Sequence, residues 1–208
     1  MPTLCGLRRR GYTPSAIFSF VQRAGIAKTN SLVDERLLEY CIREELNANA
    51  PRRMAVTEPV RLIIDNYPEG KVEYFEIANN PVDPEAGARK VAFSRELYIE
   101  RTDFAEAPPP KFQRLKPDGE VRLMGAYIVR CVQVVKNDAG EIVELHCTAD
   151  LETGNGMPAD GRKVRGTIHW VSAAHAVDAD VMLYDNLFTL EDVNAVPEGT
   201  NYLDYLNP

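Results

Sequence analysis

The sequence predicts an α+β fold that is mostly β, in which a short helical segment precedes an antiparallel β-rich region. Apolar residues recur at helical spacing through the first fifty residues. From Met54 onward, short runs rich in Val, Ile, Tyr and Phe are separated by turn residues, which is typical of antiparallel β domains and not of βαβ units. A length of 208 residues, 45% apolar and 26% charged, allows one large or two small folded domains.

Two helices are expected in the first segment. Thr13–Pro14 is a start signal, because the hydroxyl can cap free N–H groups and proline fits the first helical turn. Gly25 stands where this helix should end. A second helix is expected to begin at Ser31, with Asp34 three residues later as a weaker version of a capping box. Pro51 should end it.

The β-rich region contains candidate strands that are joined by turn-forming residues. The run Asn137–Gly140 joins two of them, and its Asn, Asp and Gly residues predict a hairpin. Pro108–Pro110 is stiff and extended, which favours a connector over a strand interior. The candidate strands are Val60–Ile64, Val72–Ile77, Leu97–Glu100, Val121–Leu123, Tyr127–Val135, Ile142–Cys147, Val164–His169 and Val181–Leu183.

Charge and composition exclude several classes of protein. The net charge of −7 argues against sequence-independent nucleic-acid binding, which depends on many Lys and Arg contacts to phosphate. Basic residues nevertheless cluster locally, and a basic face on an acidic protein is compatible with a selective RNA contact. The clusters are Arg8–Arg10, Arg52–Arg53, Lys111–Lys116, Arg122 and Arg162–Arg165.

Cysteine spacing and apolar run length give two further expectations. The four cysteines lie far apart, without a Cys-x-x-Cys pair, so buried free thiols are expected and neither disulfides nor a zinc site. No apolar run approaches the roughly 20 residues that cross a bilayer, and the first residues lack the zones of a signal peptide. We therefore expect a cytoplasmic protein without a membrane partner.

Four segments that together span most of the chain carry a family resemblance. They are Gly6–Thr13, Cys41–Arg52, Ala159–Arg165 and Gly166–Ala176, and the last holds the only tryptophan and two of the three histidines. In this order they resemble the glutaminyl-tRNA synthetase family. The resemblance implies that residues 1–52 are the end of the helical subdomain of a catalytic core, and that residues 53–208 are an anticodon-binding region of two antiparallel β-barrels. An outer barrel would take roughly residues 73–166, and an incomplete inner barrel residues 53–72 and 167–208.

The family's ATP-handling signatures, His-Ile-Gly-His and a Lys-Met-Ser-Lys-like loop, do not occur in this sequence. We therefore expect a fragment that binds glutamine-specific tRNA and is inactive alone. The fragment would need no cofactor, whereas ATP and Mg would serve the full-length ligase. The resemblance further implies a monomeric parent and no DNA partner.

The resemblance implies an RNA contact where the helical segment meets the strands. Arg52 matches the family's arginine that reads the middle anticodon base, and a planar guanidinium can both bond and stack on a base. Asn47 would assist it or only cap the helix end. Arg8 is a candidate phosphate contact. For Arg52, the alternative to an RNA contact is an internal ion pair. The same two interpretations apply to the run Arg162–Arg165, for which we prefer the internal ion pair.

The resemblance also implies contacts to the flanking anticodon bases. Lys111, Arg114 and Arg122 lie in the matching segments. The sequence departs from the family here, because Lys111 stands where a glutamine can occur, Gln113 where lysine is frequent, and Met124 where arginine can occur. Strand alternation places Arg122 and Met124 on one face, which could meet RNA while the reverse face packs inward.

Three other functions remain open from the sequence. The archaeal and eukaryotic type of glutamyl-tRNA synthetase shares these barrels, and a ribosomal 5S-RNA-binding protein uses a similar one, although it would leave the helical segment without a role. A small β-domain hydrolase would need a pocket that joins His169 or His175 to acidic residues such as Asp178. A tryptophan within a β-rich segment is more typical of a core anchor, so Trp170 is predicted to pack inward with its N–H bonded.

Overall fold

A computed structural model describes residues 3–29, 31–192 and 195–208. The chain divides into two compact units, one of Met1–Ala50 with Val181–Pro208 and the other of Pro51–Asp180. The predicted fold class, α+β and mostly β, is confirmed. Within the described ranges, every helix is too short or too polar to cross a membrane.

The described part of the first unit contains the α-helices α1 (Leu4–Arg9), α2 (Pro14–Ala24) and α3 (Glu35–Asn49), and a short 3-10 helix at Tyr202–Tyr205. The predicted start and end of α2 are confirmed, because the Thr13 hydroxyl accepts from the Ala16 N–H at 3.2 Å and Gly25 is the C-cap with φ of 73°. The predicted start of α3 at Ser31 is wrong. Asp34 itself is the N-cap and accepts from the Arg36 N–H at 2.9 Å, so the helix begins after the residue that we placed inside it.

The second unit is built on a seven-stranded sheet with a separate hairpin. The strands are β1 (Pro59–Ile64), β2 (Glu73–Ala78), β3 (Ala88–Phe93), β4 (Glu96–Glu100), β5 (Glu120–Leu123), β6 (Ile128–Lys136), β7 (Ile142–Asp150), β8 (Thr167–Ile168) and β9 (Val171–Ser172). The sheet order is β8-β5-β6-β7-β1-β4-β9, and β2 pairs with β3. Two pairings, β1 with β7 and β5 with β8, are parallel, so the expected antiparallel arrangement holds for the others only. The division into an outer and an inner barrel stays a prediction.

Several strand predictions need correction. The candidate Val164–His169 shortens to β8, Val181–Leu183 is not a strand, and β3 and β9 were not predicted. Strand β3 begins Ala-Arg-Lys, which lacks a β-rich apolar run, and it is set by its pairing with β2. The Asn137–Gly140 hairpin is confirmed, because the Asn137 N–H donates to Glu141 O at 2.9 Å and its side chain accepts from the N–H groups of Ala139 and Glu141.

The core of the second unit is an aromatic cluster on the sheet. Trp170 and Phe93 are fully buried, with ring centroids 5.0 Å apart in an edge-to-face arrangement. Phe93 also meets Tyr67, Phe75 and Tyr127 at centroid distances of 5.3, 5.5 and 5.3 Å. These contacts hold Tyr127, which precedes β6, and Trp170, which follows β8, in one core.

Candidate nucleic-acid interface

An open groove on the second unit is lined mainly by basic side chains. It has a cavity volume of about 530 Å³ and lies between residues 111–118 and residues 163–165. Among the described residues that line it, six are cationic and two are acidic. The cations are Lys111, Arg114, Lys116, Arg130, Lys163 and Arg165, and the acids are Asp118 and Glu120. A groove with this charge balance favours a phosphate backbone.

Gly166 holds together the two basic segments that line the groove, residues 111–118 and 163–165. Its φ of +94° is a conformation that residues with a side chain rarely adopt, and a Cβ at this position would overlap the carbonyl oxygen of Gln113. The Gly166 carbonyl accepts from the Arg122 N–H on β5 at 3.2 Å. Only glycine therefore allows the chain after Lys163 and Arg165 to pass against the backbone of residues 111–116.

A turn at Lys116–Gly119 forms the floor of the groove. The Gly119 N–H donates to Lys116 O at 2.9 Å, and Asp118 adopts a left-handed φ of 55°. The backbone of Cys131 on β6 fixes this turn, since it accepts from the Asp118 N–H at 3.0 Å and donates to Gly119 O at 3.2 Å. Arg130 is therefore brought to the groove, where its guanidinium lies 3.2 Å from Glu120.

Of the predicted RNA-contacting residues, the structure brings Lys111 and Arg114 into the groove. Arg114 forms an ion pair with Asp103, whose side chain is buried, while the arginine side chain stays 51% exposed. Within the described chain, no ion pair engages Lys111, Lys116, Lys163 or Arg165, and all four are exposed. These four cations are free to meet a ligand.

Arg122 lies on the predicted face of β5, but its guanidinium is engaged by the chain itself. Alternation on β5 is as predicted, with Val121 and Leu123 buried and Arg122 on the other face. Its guanidinium, however, donates to the carbonyl oxygens of Ala126, Gly154 and Gly156 at 3.0, 3.3 and 2.6 Å. The side chain braces the loop after β7, and its RNA contact stays a prediction.

Arg162 forms the internal ion pairs that we preferred for this run. Its guanidinium reaches Glu120 at 3.0 Å, Asp150 at 2.7 Å and Asp160 at 2.9 Å. Hydrogen bonds to Asp150, Asp160 and Glu120 raise the pKa of this guanidinium above its ordinary value. Arg162 thus fastens the loop that carries Lys163 and Arg165 to β5 and β7, although those two residues themselves face the groove.

The other three predicted residues are not among the described residues that line the groove. Arg52 precedes β1, is half-buried, and its N–H donates to Asn79 O at 2.5 Å. Asn47 is exposed in the last turn of α3, and Arg8 is exposed in the last turn of α1. Asn47 and Arg8 belong to the first compact unit and Arg52 to the second. Their roles in RNA binding stay predictions.

The histidine and tryptophan segment has a structural role. Trp170 is fully buried and its N–H donates to Met124 O at 3.0 Å, which confirms the predicted core anchor. His175 Nδ1 lies 2.9 Å from the Ser172 hydroxyl, which in turn lies 2.7 Å from that of Ser94. Among the described residues, no group of three or more His, Cys, Asp or Glu side chains could hold a metal ion.

His146 makes two contacts that the sequence did not indicate. Its Nδ1 lies 2.8 Å from Asp65 and its Nε2 lies 3.0 Å from Glu144. The hydrogen bond to Asp65 is the largest cause that raises the pKa of this imidazole, and Glu144 adds to it. This is an ion pair on the sheet surface, and the two carboxylates come from elements that are distant in sequence from each other.

Sequence reasoning missed Arg130 as a groove residue and preferred the internal interpretation for Lys163 and Arg165. The available signal for Arg130 was strand alternation, because it lies between the buried Val129 and Cys131 and so must face outward. Nothing in the spacing of residues 111–116 and 163–165 indicated that they share one groove.

Comparisons with known proteins place the chain in a family. Residues 50–150 match the family described as tRNA synthetases class I (E and Q), anti-codon binding domain, and residues 167–208 match a second family profile with the same description. The groove residues between 111 and 130 lie within the first range, and residues 163–165 lie between the two ranges.

Named relatives cover the whole chain. A glutamine–tRNA ligase of Xanthomonas axonopodis pv. citri is 56% identical over all 208 residues, which are 36% of its length. Those of Bradyrhizobium diazoefficiens and Clostridium perfringens are each 53% identical over the whole chain, which covers 37% of each relative. The chain thus spans little more than a third of these curated relatives. The two family matches, and relatives that align with all 208 residues, confirm the resemblance seen in the sequence. The chain belongs to the class I (E and Q) tRNA synthetases, and residues 50–150 and 167–208 match their anticodon-binding domains.

Proposed function

We propose that this chain recognises the anticodon loop of a glutamine-specific tRNA, as part of a longer glutamine–tRNA ligase. The observation that carries the proposal is the basic groove, in which exposed cations without internal partners lie on two segments fixed by Gly166. The names of the relatives, glutamine–tRNA ligase, support glutamine as the amino acid of the tRNA.

The groove residues suit the chemistry of a single-stranded RNA loop. Lysines at 111, 116 and 163 supply mobile point charges for phosphates, and Arg165 adds a planar donor. Phe112 also lines the groove and offers a ring face on which an unstacked base can stack. We assign phosphate contacts to the lysines and base contacts to Arg52 and Arg114, because sequence is read at base edges and not at phosphates.

The ligation step is proposed for the longer protein. There, ATP and Mg would activate glutamine, and this chain would contribute affinity and selection of the tRNA. Arg8 and Asn47 on the first unit are proposed as further contacts to the tRNA.

Removal of one groove lysine tests the proposal. Fluorescence anisotropy of a labelled glutamine-specific tRNA should show weaker binding for Lys163→Ala than for the native chain, across a series of salt concentrations. Loss of one phosphate contact should reduce the slope of log K against log salt by about 0.7, the value for single-stranded nucleic acid. A tRNA with a changed anticodon should bind the native chain more weakly.

Lys136→Ala is the matched control. It removes the same charge from the same unit, but Lys136 pairs with Glu106 at 2.7 Å and does not line the groove. Its affinity and salt slope should equal those of the native chain. If Lys163→Ala and Lys136→Ala change the salt slope equally, or if the anticodon change has no effect on binding, the groove is not the anticodon site.

A further inference from the structure

Cys131 on β6 and Cys147 on β7 lie directly opposite each other in the antiparallel register. The backbone N–H and C=O of Cys131 bond to Gly119 and Asp118, so both groups point away from β7. The Cys147 carbonyl accepts from the Asp65 N–H at 2.8 Å, on the side away from β6. The two cysteines therefore form a non-hydrogen-bonded pair, the kind in which opposite Cα atoms are about 4.5 Å apart and the side chains are closest.

This spacing meets the geometric requirement for a disulfide, whose Cα atoms are usually about 4.4–6.8 Å apart. Both cysteines are buried, with exposures of 1% and 0%, and the Cys131 thiol donates to Gln133 O at 3.7 Å. The neighbouring Cys147 side chain lowers the pKa of the Cys131 thiol, whereas Cys131 and burial raise the pKa of the Cys147 thiol. Cys131 is thus the better nucleophile of the two.

A β-bulge lies beside the pair. The register between β6 and β7 shifts between Cys131 and Gln133, which leaves Val132 unpaired and 49% exposed. Bulges interrupt the ladder and increase local twist. The backbone ladder is therefore interrupted directly beside Cys131.

The geometry points to Cys131 and Cys147 as a redox-active dithiol that hydrogen peroxide converts to a cross-strand disulfide. The Cys131 thiolate attacks one peroxide oxygen, the O–O bond breaks, and sulfenic acid and hydroxide form. The Cys147 sulfur then attacks the Cys131 sulfur, the S–O bond breaks, and water leaves as the S–S bond forms. In sum, two thiols and one peroxide give one disulfide and two waters. The chemistry is independent of RNA binding.

Peptide mapping of the native chain tests this directly. After treatment with hydrogen peroxide, the chain is alkylated in denaturant and digested with trypsin without reduction. Cleavage after Arg130, Lys136 and Arg162 places the two cysteines on different peptides, residues 131–136 and 137–162. We expect these two peptides to be joined, with loss of about two hydrogens in mass and release by dithiothreitol.

Cys5, which is exposed, is the internal control for the oxidant. If Cys5 is oxidised while Cys131 and Cys147 are both recovered alkylated, or each as a separate sulfinic acid, the proposal is overturned. In Cys147→Ala, the same treatment should leave Cys131 as a sulfenic acid that dimedone traps, without any joined peptide. The native-chain result stands even if that variant does not fold.

Discussion

Replacement of Gly166 by alanine should damage both the stability of the second unit and the groove. A side chain at φ of +94° costs about 1–3 kcal/mol in backbone strain. The new Cβ would also overlap the Gln113 carbonyl, a backbone atom that cannot rotate away, and such overpacking typically costs about 1–3 kcal/mol more. The expected loss in the free energy of unfolding is therefore about 2–6 kcal/mol.

Gly161→Ala is the control that separates the two causes. Gly161 also has a positive φ, +69°, but a Cβ there would meet nothing within 4 Å. This variant should lose only the strain component, about 1–3 kcal/mol. The difference between the two variants measures the close approach of the chain at residue 166 to the backbone at residue 113.

Urea denaturation provides the assay. Trp170 is the only tryptophan and is fully buried in the same unit, so its fluorescence reports the unfolding of that unit. Anisotropy with tRNA should also show a larger loss of affinity for Gly166→Ala than for Gly161→Ala, measured where both are folded. Equal losses of stability for the two variants would refute the argument that this contact joins the basic segments.

Three other changes test the remaining assignments. Arg52→Ala in the longer ligase should cost about 1–3 kcal/mol of tRNA binding and relax discrimination at the middle anticodon base; unchanged discrimination in a competition assay would remove Arg52 from the site. His146→Gln should flatten the pH dependence of the unfolding free energy above pH ~6.5. The pKa of His146 is raised in the folded state, so the charged ring stabilises the fold fully below the pKa of the unfolded state. This stabilisation is lost as the pH rises through the pKa of the folded state. The effect should stay below about 1 kcal/mol because solvent reaches the pair, with His146 25% and Asp65 39% exposed, and a native-like pH profile in urea titrations would contradict it. The isolated chain should form no glutaminyl adenylate from ATP and glutamine in a pyrophosphate-exchange assay, and exchange above the background of a blank reaction would contradict recognition as its sole contribution.

Local signals in the sequence predicted much of the fold. Thr13 and Gly25 bound α2 as expected, because capping depends on neighbouring residues only. The hairpin at Asn137–Gly140 and most of the strands were predicted from equally local signals. Strand β3 was missed since its Arg89 and Lys90 break the apolar pattern, and its place follows from pairing with β2, which no local window contains.

The candidate site depended on long-range contacts, so less of it could be predicted. The groove forms because Gly166 passes the backbone of Gln113, and because Cys131 holds the turn at Asp118. A single glycine in a sequence does not reveal which distant segment it approaches. The resemblance to the family located residues 111 and 114 but could not show that Arg122 would be engaged by three carbonyl groups of the chain itself.

Arginine and lysine have different roles in this chain, and this difference explains how an acidic protein can have a basic groove. Arginines such as Arg162 and Arg61 each bridge two or more carboxylates, and the forked guanidinium suits this internal bracing. Such pairs neutralise acid locally and do not add to the surface field. Lys111, Lys116 and Lys163 remain as exposed point charges in one groove, where six cationic side chains outnumber two acidic ones. The whole chain carries a net charge of −7, so the surface outside this basic groove is strongly acidic and repels nucleic acid on average. The groove is therefore where attraction is concentrated.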